Sequence, residues 1–241
     1  SRALKLTCQH ADIQDGHKIL ELGCGWGSLT LWLAEKFPGS HVTAISNSSS
    51  QRSYIFKKIN ELGLTNVEVL TKDINHFRPT TNFDRIVSVE MFEHLRNYNE
   101  IFNRISHWLN KEGKFLMHIF CNELEPYLFI DRGPSDWMTR HFFSAGMMPS
   151  TDLPLYFQDA LTLEDEWHWD GIHYKRTANA WLDNLDRNRR DVLPILSTIY
   201  GAENANQWFH RWRLFFMACA ELFGMDKGSV WGVHHYRFNQ Q

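Results

Sequence analysis

Two carboxylates and an imidazole stand close together at Glu90, Glu93 and His94, in the run Ser88-Val89-Glu90-Met91-Phe92-Glu93-His94. The spacing is i, i+3, i+4, so a helical backbone there would put all three on one face. Such a group can attract and orient a cationic amine. One of its members can then take the amine's proton, because only the bare lone pair attacks carbon. Two neighbouring carboxyl groups also push one of their pKa values up toward neutrality. The bland alternative is a solvated helix start, where the helix dipole favours acids. His118 is a second candidate, a single polar residue in the apolar run Phe115-Leu116-Met117-His118-Ile119. It must find a partner or face a cavity, as a core histidine or as part of the same site. His234 and His235 are adjacent on an expected strand, point to opposite faces and carry less information. No Cys/His spacing of the kind that holds a metal is present.

These residues need elements to place them. His17–Leu22, His41–Ile45, Val67–Leu70, Phe83–Val89 and Gly113–Phe120 read as short apolar or β-branched strands. Helical patterns separate them: Ser28–Lys36, Arg52–Leu62 with Gly63 as its stop, and a helix from the Glu90–His94 cluster to about Leu109. A further helix, Ala3–Ala11, precedes them. Strands alternating with helices predict an α/β fold with a parallel, doubly wound, Rossmann-like sheet. Residues 121–160 lose that rhythm and read as an aromatic-rich insertion after the fifth strand, covering the substrate. Glu164–His173 reads as a sixth strand, Thr177–Asn188 and Asn204–Phe223 as helices, and Val230–Phe238 as a last strand. Three of the ten tryptophans precede residue 121, so the second half carries an aromatic load beyond what the sheet needs. The face Trp208, Phe209, Trp212, Phe215 and Phe216 reads first as core, then as a homodimer contact or acceptor wall. The whole of 1–241 is expected to be one domain.

The first strand ends in Glu21-Leu22-Gly23-Cys24-Gly25-Trp26-Gly27. Strand, glycine turn and helix form the nucleotide-cofactor arrangement of an open α/β sheet. The glycines run G-x-G-x-G with Ser28 following, unlike the dinucleotide fingerprint, and no G-K-[ST] of a P-loop is present. S-adenosylmethionine (SAM) fits better, since it has no phosphate to cradle. Glu21 can support its ammonium end, directly or through the turn formed by Gly23, Gly25 and Gly27. After the second strand, Ser46, Asn47 and Gln51 offer neutral hydrogen-bonding groups for the ribose. After the third, Asp73 can accept from the adenine amino group while Ile74 packs on the ring, and Val89 ends the fourth. All stand at carboxyl ends of parallel strands, where such sheets bind ligands. Taken singly, Asn47 and Gln51 could be helix caps and Asp73 a turn acid.

With a net charge of −3 and no Lys/Arg-dense segment, the chain has no footprint for nucleic acid. No apolar run approaches the ~20 residues of a spanning helix. Cys8, Cys24, Cys121 and Cys219 form no CxxC pair, which fits a reducing, cytoplasmic setting and reads as small buried hydrophobes.

The stretches Ile19–Gly27, Ser46–Gln51 and Ser88–His94 resemble the cyclopropane-fatty-acid synthase family, which includes mycolic-acid methyltransferases and coclaurine-type N-methyltransferases. The likeness continues through Phe142–Ser150, Tyr156–Asp159 and Gly171–Thr177 and covers nearly the whole chain. It implies a SAM-dependent methyltransferase. The lipid enzymes are similar at Glu93, His118 and Tyr174, positions that hold a bicarbonate ion as general base, and Cys219 matches a cysteine associated with their active site. The coclaurine-type enzymes look closer at Glu90, Glu93 and His94, whereas the lipid synthases usually carry glycine where Glu90 stands. The family's helical N-terminal cover is expected to be absent, since only about 18 residues precede the first strand. The expected reaction is N-methylation of a small amine. One alternative is methylene or methyl transfer to an unsaturated acyl chain. Another is SAM binding without catalysis.

Overall fold

The computed structural model describes residues 2–143 and 145–241; Ser1 and Ser144, the latter inside the Phe142–Ser150 stretch, lie outside the described residues. The elements begin with α1 (Arg2–His10), β1 (Lys18–Leu22), α2 (Ser28–Lys36), β2 (His41–Ser46), α3 (Ser49–Leu62), β3 (Val67–Thr71) and β4 (Phe83–Val89). Then come α4 (Tyr98–Trp108), β5 (Leu109–Asn122), β6 (Tyr127–Leu128), α5 (Trp137–His141) and β7 (Met147–Met148). The last are β8 (Leu161–Asp170), α6 (Gly171–Arg187), α7 (Arg189–Tyr200), α8 (Ala205–Gly224) and β9 (Trp231–Gln240).

Seven strands form one sheet in the order β3-β2-β1-β4-β5-β9-β8. The ladders β2–β3, β1–β2, β1–β4 and β4–β5 are parallel, as the β-α alternation predicts. Strands covered on both faces need apolar residues in succession rather than in alternation. Accordingly Ile19, Leu20 and Leu22 of β1 and Ile86 and Val87 of β4 are fully buried. One core cluster joins Ile19, Val42, Val87 and Leu116 to Leu29 and Leu33 of α2; another joins Ala44 and Val69 to Ile55 and Ile59 of α3.

The chain divides into two compact units. The first runs through Ile119 and takes in Thr151–Trp167 and His234–Gln241. The second holds Phe120–Ser150 and His168–Val233. Within the second, β6 and β7 pair as a small antiparallel ribbon and α6 packs along α8. The aromatic face of α8 is internal to this unit: Phe209 is buried, and Trp212 and Phe215 lie 4.8 and 4.3 Å, centroid to centroid, from Phe142.

Several boundaries differ from the sequence reading. The strand expected at Glu164–His173 stops at Asp170, whose carboxylate accepts from the Ile172 N–H and caps α6. His173 and Tyr174 are therefore helical. Helix α7 was hidden by Pro194, which lies inside it. Helix α3 starts at Ser49, with Ser48 as its cap accepting from the Gln51 N–H.

Gly27 caps α2 at φ 82°, and a Cβ there would stand 2.7 Å from Ile55 Cγ1. Gly27→Ala therefore combines a left-handed backbone, worth about 1–2 kcal/mol, with a clash between α2 and α3. A loss of about 2 kcal/mol or more is expected in urea unfolding.

Candidate functional site

The glycine turn is tied down from both sides. Gly23 and Cys24 donate their N–H groups to the Ile45 carbonyl of β2 at 3.1 and 3.0 Å, and Gly27 donates to Cys24 at 2.8 Å. All three glycines have positive φ: 78° at Gly23, 52° at Gly25 and 82° at Gly27. They differ in surroundings. A Cβ on Gly23 would meet the Met91 side chain at 3.0 Å, whereas none of the described atoms lies within 4 Å of one on Gly25. Gly23 is thus kept bare by the protein's own packing, and Gly25 presents an open backbone that a ligand can approach.

Glu21 does not project into that space. Its carboxylate is buried beneath the turn and accepts from the Thr30 hydroxyl of α2 at 2.5 Å. Burial pushes its pKa up to about 7, with the Thr30 hydrogen bond opposing. Of the two routes expected for Glu21, direct support of a ligand or support through the turn, the geometry favours the second.

The loop after β2 is internally bonded. Ser46 donates its hydroxyl to Gln51 Oε1 at 2.7 Å and accepts the Ser48 N–H at 3.1 Å, and Asn47 is exposed. Beyond β3, Asp73 Oδ1 accepts from the Asn75 backbone N–H and side-chain amide at 2.8 and 3.0 Å, a local turn, and Ile74 beside it is half-buried.

The acidic cluster departs from the helical expectation. Strand β4 ends at Val89, and Glu90 takes a left-handed backbone, φ 48°. Only Phe92–His94 then coils, as a single turn of 3-10 helix. Glu90, Glu93 and His94 accordingly do not share one helical face. Glu93 is buried, 1% exposed, while His94 is exposed. The imidazole that approaches Glu90 is His118, with Nε2 3.7 Å from Glu90 Oε1. Register puts them together: Val89 is opposite His118 across β4–β5, and the Glu90 N–H donates to the His118 carbonyl at 2.9 Å.

The turn is anchored by Phe92, which is fully buried among Tyr98, Phe102 and Phe115 at centroid distances of 5.5–6.0 Å. Tyr98 adds a hydrogen bond from its hydroxyl to the Phe92 carbonyl at 3.3 Å. This plug holds Glu93 where Oε2 has no hydrogen-bond partner among the described residues. Burial first, and the charge of Glu90 second, raise the Glu93 pKa well above the usual carboxylate range, against its own backbone N–H. A buried, underbonded acid at strand ends is characteristic of a working site.

Tyr174 and Cys219 belong to the second unit. Tyr174, on α6, stacks on Phe223 at 4.4 Å, and Cys219 is a half-buried residue of α8. Cys8 and Cys24 are buried, and burial followed by the charge of Glu21 pushes both thiols up to about 12, so they act as small core residues. Met91, which has no signal in the sequence, seats the acidic turn against Gly23, and His235, which carries little information as a sequence residue, has its Nε2 2.7 Å from His118 Nδ1. Strand alternation does separate His234 from His235, but β9 lies inside the sheet and both are buried.

The seven-stranded sheet with its glycine turn after β1 is shared with the relatives that follow, and with them the chain is a SAM-dependent methyltransferase. The family described as mycolic acid cyclopropane synthetase matches residues 1–233, and the chain belongs to it. It is 38% identical to (S)-coclaurine N-methyltransferase from Thalictrum flavum subsp. glaucum, over 99% of this chain and 67% of that enzyme. The crystal structure of a coclaurine N-methyltransferase bound to N-methylheliamine and S-adenosylhomocysteine (SAH) is similar with a TM-score of 0.94 at 37% identity. That match covers 99% of this chain and 70% of the other. A mycolic acid cyclopropane synthase, solved with SAH and CTAB, shares the fold at a TM-score of 0.82 and 20% identity, over 100% of this chain and 83% of the other.

Two outcomes follow from the geometry. As pH rises from about 4.5 to about 7, Glu21 ionises in the unfolded chain before it does in the folded one, so stability falls by about 3 kcal/mol and then levels off. Glu21→Gln is expected to flatten that part of the curve of urea midpoint against pH. Glu90→Gly relieves a left-handed glutamate and is expected to leave stability equal or about 1 kcal/mol higher in the same measurement.

Proposed function

We propose that this chain methylates the nitrogen of a small, partly aromatic amine. The observation that carries the reading is the pairing of Glu90 and buried Glu93 with His118 at adjacent strand ends. Two carboxyl groups in one place repel an anion and attract a cation. That favours an amine over the bicarbonate-assisted acyl chemistry of the lipid enzymes. The 38% identical relative named as an N-methyltransferase supports the same choice.

The residues at the glycine turn suit SAM. The open backbone at Gly25 and the N-terminus of α2 would hold the amino-acid tail. Ser46, Asn47 and Gln51 would face the ribose, Asp73 and Ile74 the adenine, and Val89 the far wall. SAM supplies, when bound, an electrophilic methyl group on a sulfonium. The chain's own residues prepare the acceptor. Glu90 and Glu93 draw the ammonium in and orient it. The raised pKa of Glu93 makes it a stronger base than a solvated glutamate. His118, backed by Glu90, stands ready to take the proton. His94, exposed on its turn, would attract the acceptor rather than touch its nitrogen.

With labelled SAM and a panel of secondary amines, the wild-type chain is expected to transfer label to at least one. Glu93→Gln and Glu90→Gln should lower kcat by about 10²–10⁴-fold, and His94→Ala by less than tenfold. Transfer to unsaturated phospholipid with none to any amine would refute the reading.

A further inference from the structure

His118 is one end of a line of imidazoles. Its Nδ1 lies 2.7 Å from Nε2 of His235 on β9, and the Nδ1 of His235 lies 2.9 Å from Nδ1 of His10 on α1. The ring centroids are 4.7 and 5.0 Å apart. His235 is buried, and His10 at the far end is half-buried. Its ring is fixed by stacking on Trp167 of β8 at 3.8 Å and 11°. Arg237 fastens the same place, donating to the His10 carbonyl at 2.9 Å with its guanidinium 5.1 Å from the Trp167 ring. Packing alone does not need three histidines, because phenylalanine fills such space without polar atoms to satisfy.

Each N···N contact needs one donor and one acceptor, so with neutral rings the protons must all point the same way. Two settings satisfy both contacts. In the first, His118 and His235 carry hydrogen on Nδ1 and His10 on Nε2, which turns an unprotonated His118 Nε2 toward Glu90. In the second, every proton has moved one place along, and His118 Nε2 carries the hydrogen.

We propose that His118, His235 and His10 form a relay that removes the acceptor's proton from the site before methyl transfer. The N–H bond of the bound ammonium breaks and an N–H bond forms at His118 Nε2, directly or through Glu90. His118 Nδ1–H passes its proton to His235 Nε2, His235 Nδ1–H passes its own to His10 Nδ1, and His10 Nε2–H releases one to water. One proton enters and one leaves, and no ring stays charged. After product departs, His118 Nε2 loses its proton to solvent and His10 takes one back, restoring the first setting. The benefit is electrostatic: a proton parked on His118 would keep a positive charge in a pocket that must also tolerate a sulfonium.

The surroundings suit a conduit rather than a store. Burial, followed by the charges of His118, His10 and His234, lowers His235 to about 2, so it does not rest as a cation. His10 is lowered by burial and by Arg237, against Asp165. Glu90 faces His118 from the end of β4.

The relay rests on the amine reading, and the test separates the two. The full chain with saturating SAM is assayed from pH 6 to 10 on two acceptors, a strongly basic secondary amine and a weakly basic aromatic amine that is already unprotonated at pH 7. His10→Phe and His235→Phe are compared with wild type, and SAH binding and thermal midpoint are measured on each. The relay predicts that His10→Phe lowers kcat at least tenfold at pH 7 on the basic amine, with KM and SAH affinity within twofold. The loss should shrink as pH rises and fall below twofold on the weakly basic amine. His235→Phe should behave alike if it folds; the half-buried His10 variant decides the matter if it does not. Equal losses on both amines, or a loss that ignores pH, would mean a structural role and overturn the relay, as would no loss. In those cases wild-type turnover leaves the amine reading standing, whereas no transfer by wild type to either amine overturns both.

Discussion

A carboxyl group withdrawn from water has to be held there by something else, because its own solvation opposes the position. Glu93 is such a group, and the first unit is arranged around keeping it in place. Phe92 sinks into a ring cluster and Tyr98 clamps its carbonyl, so the next residue has no route back to solvent. Glu90, one turn earlier, accepts a left-handed backbone so that the chain can leave the strand and enter that turn. Strain at Glu90 and underbonding at Glu93 fall three residues apart in the same loop, where a site that works on charge is expected to store them.

The glycine turn and the acidic turn form one mechanical piece. Met91 lies against Gly23, and no larger residue at 23 would admit it. The parallel register of β1 with β4, Leu22 opposite Ser88, brings the two strand ends level, and the Ser88 hydroxyl donates to the Leu22 carbonyl at 3.3 Å. The geometry of the two turns is therefore coupled through packing.

The fold was legible because the parallel core is written in contiguous apolar runs and the glycine turn in spaced glycines. The candidate site was marked in the sequence by its residue types, and its geometry was not. Glu90, Glu93 and His94 have helical spacing, but spacing says nothing about a positive φ at Glu90 or a helix of a single 3-10 turn, and these keep the three off one face. His118 stood out as polar in an apolar run. His235 did not, because its neighbour at 234 made the pair look like an ordinary strand with one face inward. Only the placement of β9 beside β5 brings it to His118, and strand order is a long-range property. Helix α7 was masked by an interior proline that the chain tolerates. Asp73 shows the reverse difficulty: its position fits a ligand, yet its carboxylate is also a sound turn-former with Asn75.

The contact between His10 and His235 joins residues 225 positions apart in sequence. Loop closure over that distance comes late for a chain that folds as it is synthesised. The sheet from β1 to β5 can assemble beforehand, with its glycine turn and acids in place, but β9 must emerge before the imidazole line exists. A nascent chain would thus acquire the shape of the glycine turn and the acidic turn before His118, His235 and His10 could meet.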